Sequence, residues 1–324
     1  MTVAQRIREA GGAVSFTDFS RIALFDPECG YYRKIAKRVG ADDRADFQTN
    51  LAVRSVFSPM IIEAAKNLLG KRDLTRFAFI EVGAEPEESL LSGEATEHFR
   101  SSEVVRLGDP IPSMKGPAIL FANEWLDAQP FMRLVFTGGS WMERFVEVRD
   151  DEKLCESLRP PETQEVVNLL PELPDVAPEG YCLDLSVEAE STLRRYLQQD
   201  WTGLFLTVDY GSSWEALCTN LPGGTARGYF RHQQVADLLA RPGSQDLTAN
   251  VCWDRLANVL REAGFIAGGP ERQEAFFIEH ASEKIRQIVE GGDSAQAAEC
   301  RARLMQLLNP VHFGAAFQVM WGIR

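Results

Sequence analysis

The sequence predicts an α/β fold built on an open sheet that carries its ligand at the carboxyl ends of the strands. Two observations predict it. Three apolar runs, Phe77–Ile80, Ala118–Ala122 and Leu204–Val208, are dense enough for strands buried on both faces, and helical periodicities separate them. Each run stops at a polar cluster, which is where open α/β sheets bind ligands. With 324 residues and a hydrophobic fraction of 45%, the chain can bury a sizeable core in one large domain or two smaller ones.

Asp and Glu number 47 against 34 Lys and Arg, a formal net charge of −13. Such a surface repels nucleic acid and anionic membranes, which leaves a small molecule or another protein as partner. No apolar run reaches the length of a membrane span. Met1–Gly12 lacks the apolar core of a signal peptide and reads as a short amphipathic helix. The six cysteines are scattered without a CxxC or CxH pair, so no metal ligation is expected from them and a reducing, cytoplasmic setting is.

Taken in order, Phe16, Phe19, Ile22, Ala23 and Leu24 have helical spacing, with Ser15 or Thr17 as cap and Asp26-Pro27 as stop. Cys29 to Tyr32 is a turn with two aromatics. Asp46, Phe47, Thr49 and Asn50 precede a helix over about 51–69, at an N-terminus whose free amides suit a cap or a ligand. Phe77 to Leu91 reads as strand, tight turn and helix, the layout that holds a nucleotide-like cofactor. In the usual form the turn is Glu-x-Gly-x-Gly-x-Gly; here Glu81-Val82-Gly83 stands, while Glu85 and Glu87 replace the other glycines.

Ser92 to Arg106 is short and polar. The second strand ends in Asn123, Glu124, Asp127 and Gln129, polar groups that double as helix caps or line a site. Residues 131–148 alternate as a hairpin around Thr137-Gly138-Gly139, and 150–180, rich in Pro and Glu, is an excursion from the core. Residues 186–201 are helical. The third strand ends in Asp209 and Tyr210. Gly223 to Tyr229 is a glycine-rich turn able to approach a ligand, a helix runs to Ala263, and Phe313 to Trp321 is a late strand.

Several of these pieces together resemble the MidA family, mitochondrial and bacterial proteins related to assembly of respiratory complex I. They are Phe19 to Tyr32, Ala45 to Thr49, Ala122 to Pro130, Trp141 to Arg144 and Val208 to Gly211, followed by Gly224-Thr225 with Tyr229 and His232, Pro242 to Val251, and Asn309 to Val319. They occur in order over nearly the whole chain. The resemblance implies a Rossmann-like class I sheet with an N-terminal helical cap over 1–70 and a methyltransferase domain over 71–324, interrupted by the excursion at about 131–180. It implies methyl transfer from S-adenosyl-L-methionine to a protein side chain, arginine in the best-known members. Asp46, Phe47, Thr49, Glu81, Gly83 and Asn123 would hold the cofactor; Glu124, Asp127, Asp209 and Tyr210 would border the substrate and do the chemistry.

The departures are local. Glu85 and Glu87 would face the cofactor's own carboxylate. The family also has room between Leu91 and Gly116 for a strand ending in a ribose-binding acid, a place where only Glu103 or Asp109 is available. Two readings follow: a methyltransferase with reduced cofactor affinity, or a non-catalytic relative that acts as a protein-binding or assembly factor.

Overall fold

A computed structural model describes residues 1–33, 50–70, 72–84, 89–231, 233–309 and 317–324. The chain forms two compact units. One joins Lys37–Leu126, Leu193–Tyr210 and Ala257–Arg324; the other joins Met1–Ala36, Asp127–Thr192 and Gly211–Leu256. The N-terminal cap expected over 1–70 is therefore not one body. Phe16, Phe19 and Leu24 are buried with Phe131 and Leu247 in the second unit, whereas Val56, Phe57 and Met60 belong to the core of the first.

The first unit is the sheet that the sequence predicts. Its strands are β1 (Ala78–Val82), β2 (Ser101–Val105), β3 (Gly116–Asn123), β4 (Trp201–Asp209), β5 (Ile266–Arg272) and β6 (Gln318–Ile323), in spatial order β5-β6-β4-β3-β1-β2. Strands β2, β1, β3 and β4 are parallel; β6 is antiparallel to both β4 and β5. Strands β3 and β4 are central, which explains their unbroken apolar runs: Ile119, Leu120, Phe121, Leu204, Phe205 and Leu206 are all fully buried.

Helix α1 (Arg54–Leu68) lays Phe57, Met60 and Ile61 into one core with Phe121, Leu206 and Val319. Helices α2 (Gln273–His280), α3 (Ser282–Val289) and α4 (Ala295–Leu308) follow β5, and Phe276, Phe277, Leu304 and Leu307 complete that core. At the C-terminus, the Arg324 guanidinium donates to the carbonyls of Gln199, Trp201 and Ala263.

Two local expectations differ from the structure. The segment 92–106, read as polar connection, contains edge strand β2, whose first three residues are exposed. A strand paired on one side with few apolar residues gives no periodic signal. The helix expected after the glycine turn is absent from 89–92, and a 3-10 segment, Gly93–His98, takes its place before β2. Here Leu90 and Leu91 are both buried, a neighbouring pair that does not share one helical face, and the Leu90 amide is bonded to a side chain.

The largest sheet of the second unit is antiparallel. Strands 13–15, 140–148, 132–137 and 181–185 pair in that order, and 154–159 pairs with 140–148. The predicted hairpin is present: Thr137 pairs with Ser140, and Gly138 and Gly139 both have positive φ (58° and 81°), as a two-residue turn of this hand requires. The predicted excursion is partly this sheet's fifth strand and a short helix, Gln164–Leu169.

One contact in the parallel sheet yields a test. Gly203 pairs with Ala118 at φ 135°, and a β-carbon there would lie 2.1 Å from the Ala118 carbonyl oxygen. Gly203→Ala should lower unfolding free energy by about 2–4 kcal/mol through strain and overlap. Urea denaturation of the variant beside the parent protein measures it; an unchanged midpoint would show that the β3–β4 ladder is looser than described.

Candidate functional site

Between β1 and β3 the strand order reverses, because the chain leaves β1 toward β2 and returns on the opposite side. Open α/β sheets bind ligands outside the carboxyl ends at such a point. Glu81 and Gly83 lie at the end of β1; Asn123, Glu124 and Trp125 lie at the end of β3. The adjacent β4 contributes Asp209 and Tyr210. The first unit thus brings together six of the residues that the sequence singled out. Asp46, Phe47 and Thr49 lie outside the described residues, as do Glu85, Glu87 and His232.

Glu81 is buried, and its two carboxylate oxygens accept from the Leu90 amide at 2.9 and 2.8 Å. The carboxylate therefore anchors the far end of the turn that Gly83 begins. Burial pushes its pKa up to about 7, against the opposing pull of the Leu90 hydrogen bond and the charges of Arg106 and Arg54. Gly83 has φ 78°, and a β-carbon on it would lie 2.4 Å from Cδ1 of Trp125. Two separate reasons, backbone hand and the indole across the crevice, thus demand glycine at this place.

Asn123 donates to Glu124 Oε1 at 2.9 Å and accepts from Asn50 Nδ2 at 3.2 Å. Asn50 and Gln273, both fully buried, exchange carboxamide hydrogen bonds of 2.9 and 3.1 Å, and Gln273 also donates to the Leu307 carbonyl. This network fixes the rotamer of Asn123 from behind. Glu124 itself stands at φ 48°, uncommon for a non-glycine residue, with its amide donating to the Val208 carbonyl at 2.9 Å. Strained backbone of this kind is tolerated where the surroundings over-determine it and recurs at active sites.

Asp209 is fully buried; its oxygens accept from the amides of Leu126 and Tyr210, both at 2.9 Å. That geometry ties it to both strand-end loops. Tyr210 packs its ring 4.3 Å from that of Phe317.

Asp127, expected beside Glu124, opens the other unit. There it is buried, and its carbonyl accepts from the Ala249 amide. Tyr32 donates to Asp246 at 2.8 Å, and burial, then the charges of Asp246, Tyr31 and Asp127, holds its phenol well above the usual range. The glycine turn at 223–226 also has a structural destination. The Thr225 and Ala226 amides donate to the buried Asp184 carboxylate, which pairs with Arg133 at 2.7 Å. Its anion is the protein's own.

At the end of β2, where the resemblance implies a ribose-binding acid, stands Arg106. Asp109 instead accepts from the Arg106 amide at 2.8 Å, and Glu103 lies exposed within the strand. Sequence reasoning missed Gln273, Trp125 and Arg106 as parts of this site. Gln273 is 223 residues from the Asn50 it bonds, and no local pattern marks such a pair.

Comparison with known proteins agrees with this architecture. Residues 63–270 match a family described as "Putative S-adenosyl-L-methionine-dependent methyltransferase". A Caenorhabditis elegans protein named protein arginine methyltransferase NDUFAF7 homolog, mitochondrial, is 29% identical over 185 residues, covering 56% of this chain and 42% of its own. The Drosophila melanogaster protein of the same name is 26% identical over 216 residues, 64% of this chain and 47% of its own. The chain thus spans under half the length of these two relatives. A Burkholderia thailandensis structure bound to S-adenosyl-homocysteine superposes with a TM-score of 0.83 at 21% identity, covering 99% of this chain and 92% of that one. A native structure from the same organism gives 0.80 at 20%, with coverage of 99% and 91%. These two likenesses establish the fold.

The site makes two predictions. A carboxyl whose folded pKa stands near 7 retains a proton that the unfolded chain has already lost, so stability falls as pH rises from about 4.5 to about 7. Glu81→Gln should remove that slope and be more stable than the parent at pH 8, by about 3 kcal/mol at most. Urea titrations of both proteins at pH 5, 6, 7 and 8 give the comparison, and parallel curves would refute the assignment. Glu124→Gly should match or raise the melting temperature, since glycine adopts φ 48° freely. A large loss of stability would mean that the Glu124 side chain supports the fold.

Proposed function

The chain belongs to the S-adenosyl-L-methionine-dependent methyltransferase family matched over residues 63–270, and we propose that it transfers a methyl group to a protein side chain, an arginine. The observation that carries this reading is the convergence of Gly83, Asn123, Glu124 and Tyr210 at the point where the strand order reverses. The arginine assignment rests on the names of the relatives.

The residues present fit the cofactor in kind. Gly83 offers bare backbone for close approach, and the ring of Tyr210 suits its cationic end. When bound, S-adenosyl-L-methionine would supply a methyl group activated on a sulfonium centre. Asn123, fixed by Asn50 and Gln273, orients the Glu124 carboxylate. That carboxylate pairs with a guanidinium and takes its proton as the nitrogen becomes nucleophilic. Asp209 keeps Leu126 and Tyr210 in place, positioning the two loops.

Three substitutions weaken cofactor binding in this reading. By the family resemblance, Glu85 and Glu87 would bring like charge to the cofactor carboxylate, and Arg106 stands in the place of the ribose acid. They are also what favours the second reading, a relative that binds protein without catalysis. No described helix is long and apolar enough to cross a membrane. A reducing, cytoplasm-like compartment is the setting that the scattered cysteine spacing favours. A part in respiratory complex assembly is the finer expectation carried by the family resemblance.

Calorimetric titration with S-adenosyl-L-methionine and S-adenosyl-homocysteine should show binding, weakened at least about tenfold by Gly83→Val and tightened by Glu85→Gly with Glu87→Gly. Incubation with methyl-labelled cofactor and arginine-rich protein acceptors should then yield methylarginine. Glu124→Gln should slow that transfer about 10²-fold or more with cofactor affinity little changed. No binding and no label, even after the glutamates are replaced, would sink the enzymatic reading in favour of the binding protein.

A further inference from the structure

Away from the strand ends, β5 and α2 bring three metal-binding side chains together. Glu271 is the penultimate residue of β5, and Glu279 and His280 are the last two of α2. One ligand atom from each lies within 4.8 Å of the other two, the single such His/Cys/Asp/Glu group among the described residues. We propose that Glu271, Glu279 and His280 bind a divalent transition-metal ion, zinc by its donor set, which ties the end of β5 to the end of α2.

The imidazole carries the argument. The His280 side chain is only 10% exposed, and its ring is packed by Phe276 at 4.9 Å and Trp321 at 5.2 Å. Its Nδ1 lies 3.2 Å from Asn67 Oδ1, on α1. A carboxamide oxygen only accepts, so Nδ1 holds the proton and Nε2 presents a lone pair. That Nε2 is buried without a hydrogen-bond partner, and the nearest Glu279 oxygen is 3.9 Å away.

A lone pair facing two carboxylates is an arrangement that a cation relieves. Histidine ligands characteristically donate their other ring nitrogen to a fixed acceptor, the part that Asn67 plays here. One imidazole nitrogen and two carboxylate oxygens suit zinc with water as a fourth ligand. Glu279, 67% exposed, leaves the group open to solvent, so the ion has an entry path. These residues take no part in the methyl-transfer reading, and the proposal stands whether or not that reading does.

The test uses the whole purified chain, stripped with chelator and returned to metal-free buffer. Titration with Zn²⁺ should show one equivalent bound and a melting midpoint raised by several degrees. Co²⁺ should give visible bands of a nitrogen and oxygen site with no strong near-ultraviolet thiolate band. Glu279→Gln, at an exposed position, should weaken binding at least about tenfold, and Asn67→Ala by about 10–100-fold. His280→Ala disturbs the packing between Phe276 and Trp321, so the carboxylate variants decide. Failure of Zn²⁺ and Co²⁺ to bind overturns the proposal. So does one equivalent bound equally well by Glu271→Gln and Glu279→Gln, or a thiolate band that places the ion on a cysteine.

Discussion

Parallel strands that end together inside a protein leave backbone groups that water cannot reach, and the first unit is arranged around meeting that demand. At the ends of β1, β3 and β4 the donors fall to side chains. Glu81 takes the Leu90 amide, and Asp209 takes those of Leu126 and Tyr210. Behind them the Asn50–Gln273 carboxamide pair joins the entry to α1, the end of β3 and the start of α2. An unsatisfied buried group would cost about 1–3 kcal/mol, so each of these polar residues is as constrained as the apolar core around it.

The same arrangement gives the site its rigidity. Asn123 ends a strand that is buried from Ala118 to Ala122, Glu124 follows it, and a network behind them holds the Asn123 carboxamide. Positive φ at both Gly83 and Glu124 turns the backbone on the two sides of the strand-order reversal. Glycine removes the strain at Gly83. At Glu124 the positive φ stands together with the carboxylate.

Residues that the sequence grouped by position have partners of different kinds. Glu124 and Asp127 are three positions apart, yet one belongs to the strand-end cluster and the other to the unit that holds Tyr32 and Asp246. The glycine turn at 223–226 had the composition to approach a ligand, and its Thr225 and Ala226 amides take the Asp184 carboxylate. A glycine-rich turn declares that backbone comes close to something; it does not declare to what.

By itself the sequence determined the parallel core and its functional edge. Long apolar runs ending in polar clusters have few physical solutions, and the ordered fragments fixed which solution this is. The Gly138-Gly139 hairpin and the helix capped by Ser15 were equally legible, because turn and cap chemistry is local. Only tertiary structure decided the rest. Edge strand β2, half exposed, left no periodicity to read. Gln273 became part of the site, and His280 a ligand candidate, through partners on other elements: Asn50 lies 223 residues from the first, Asn67 213 from the second. Contacts of that separation are set by how helices pack on a sheet, and no stretch of sequence carries them alone.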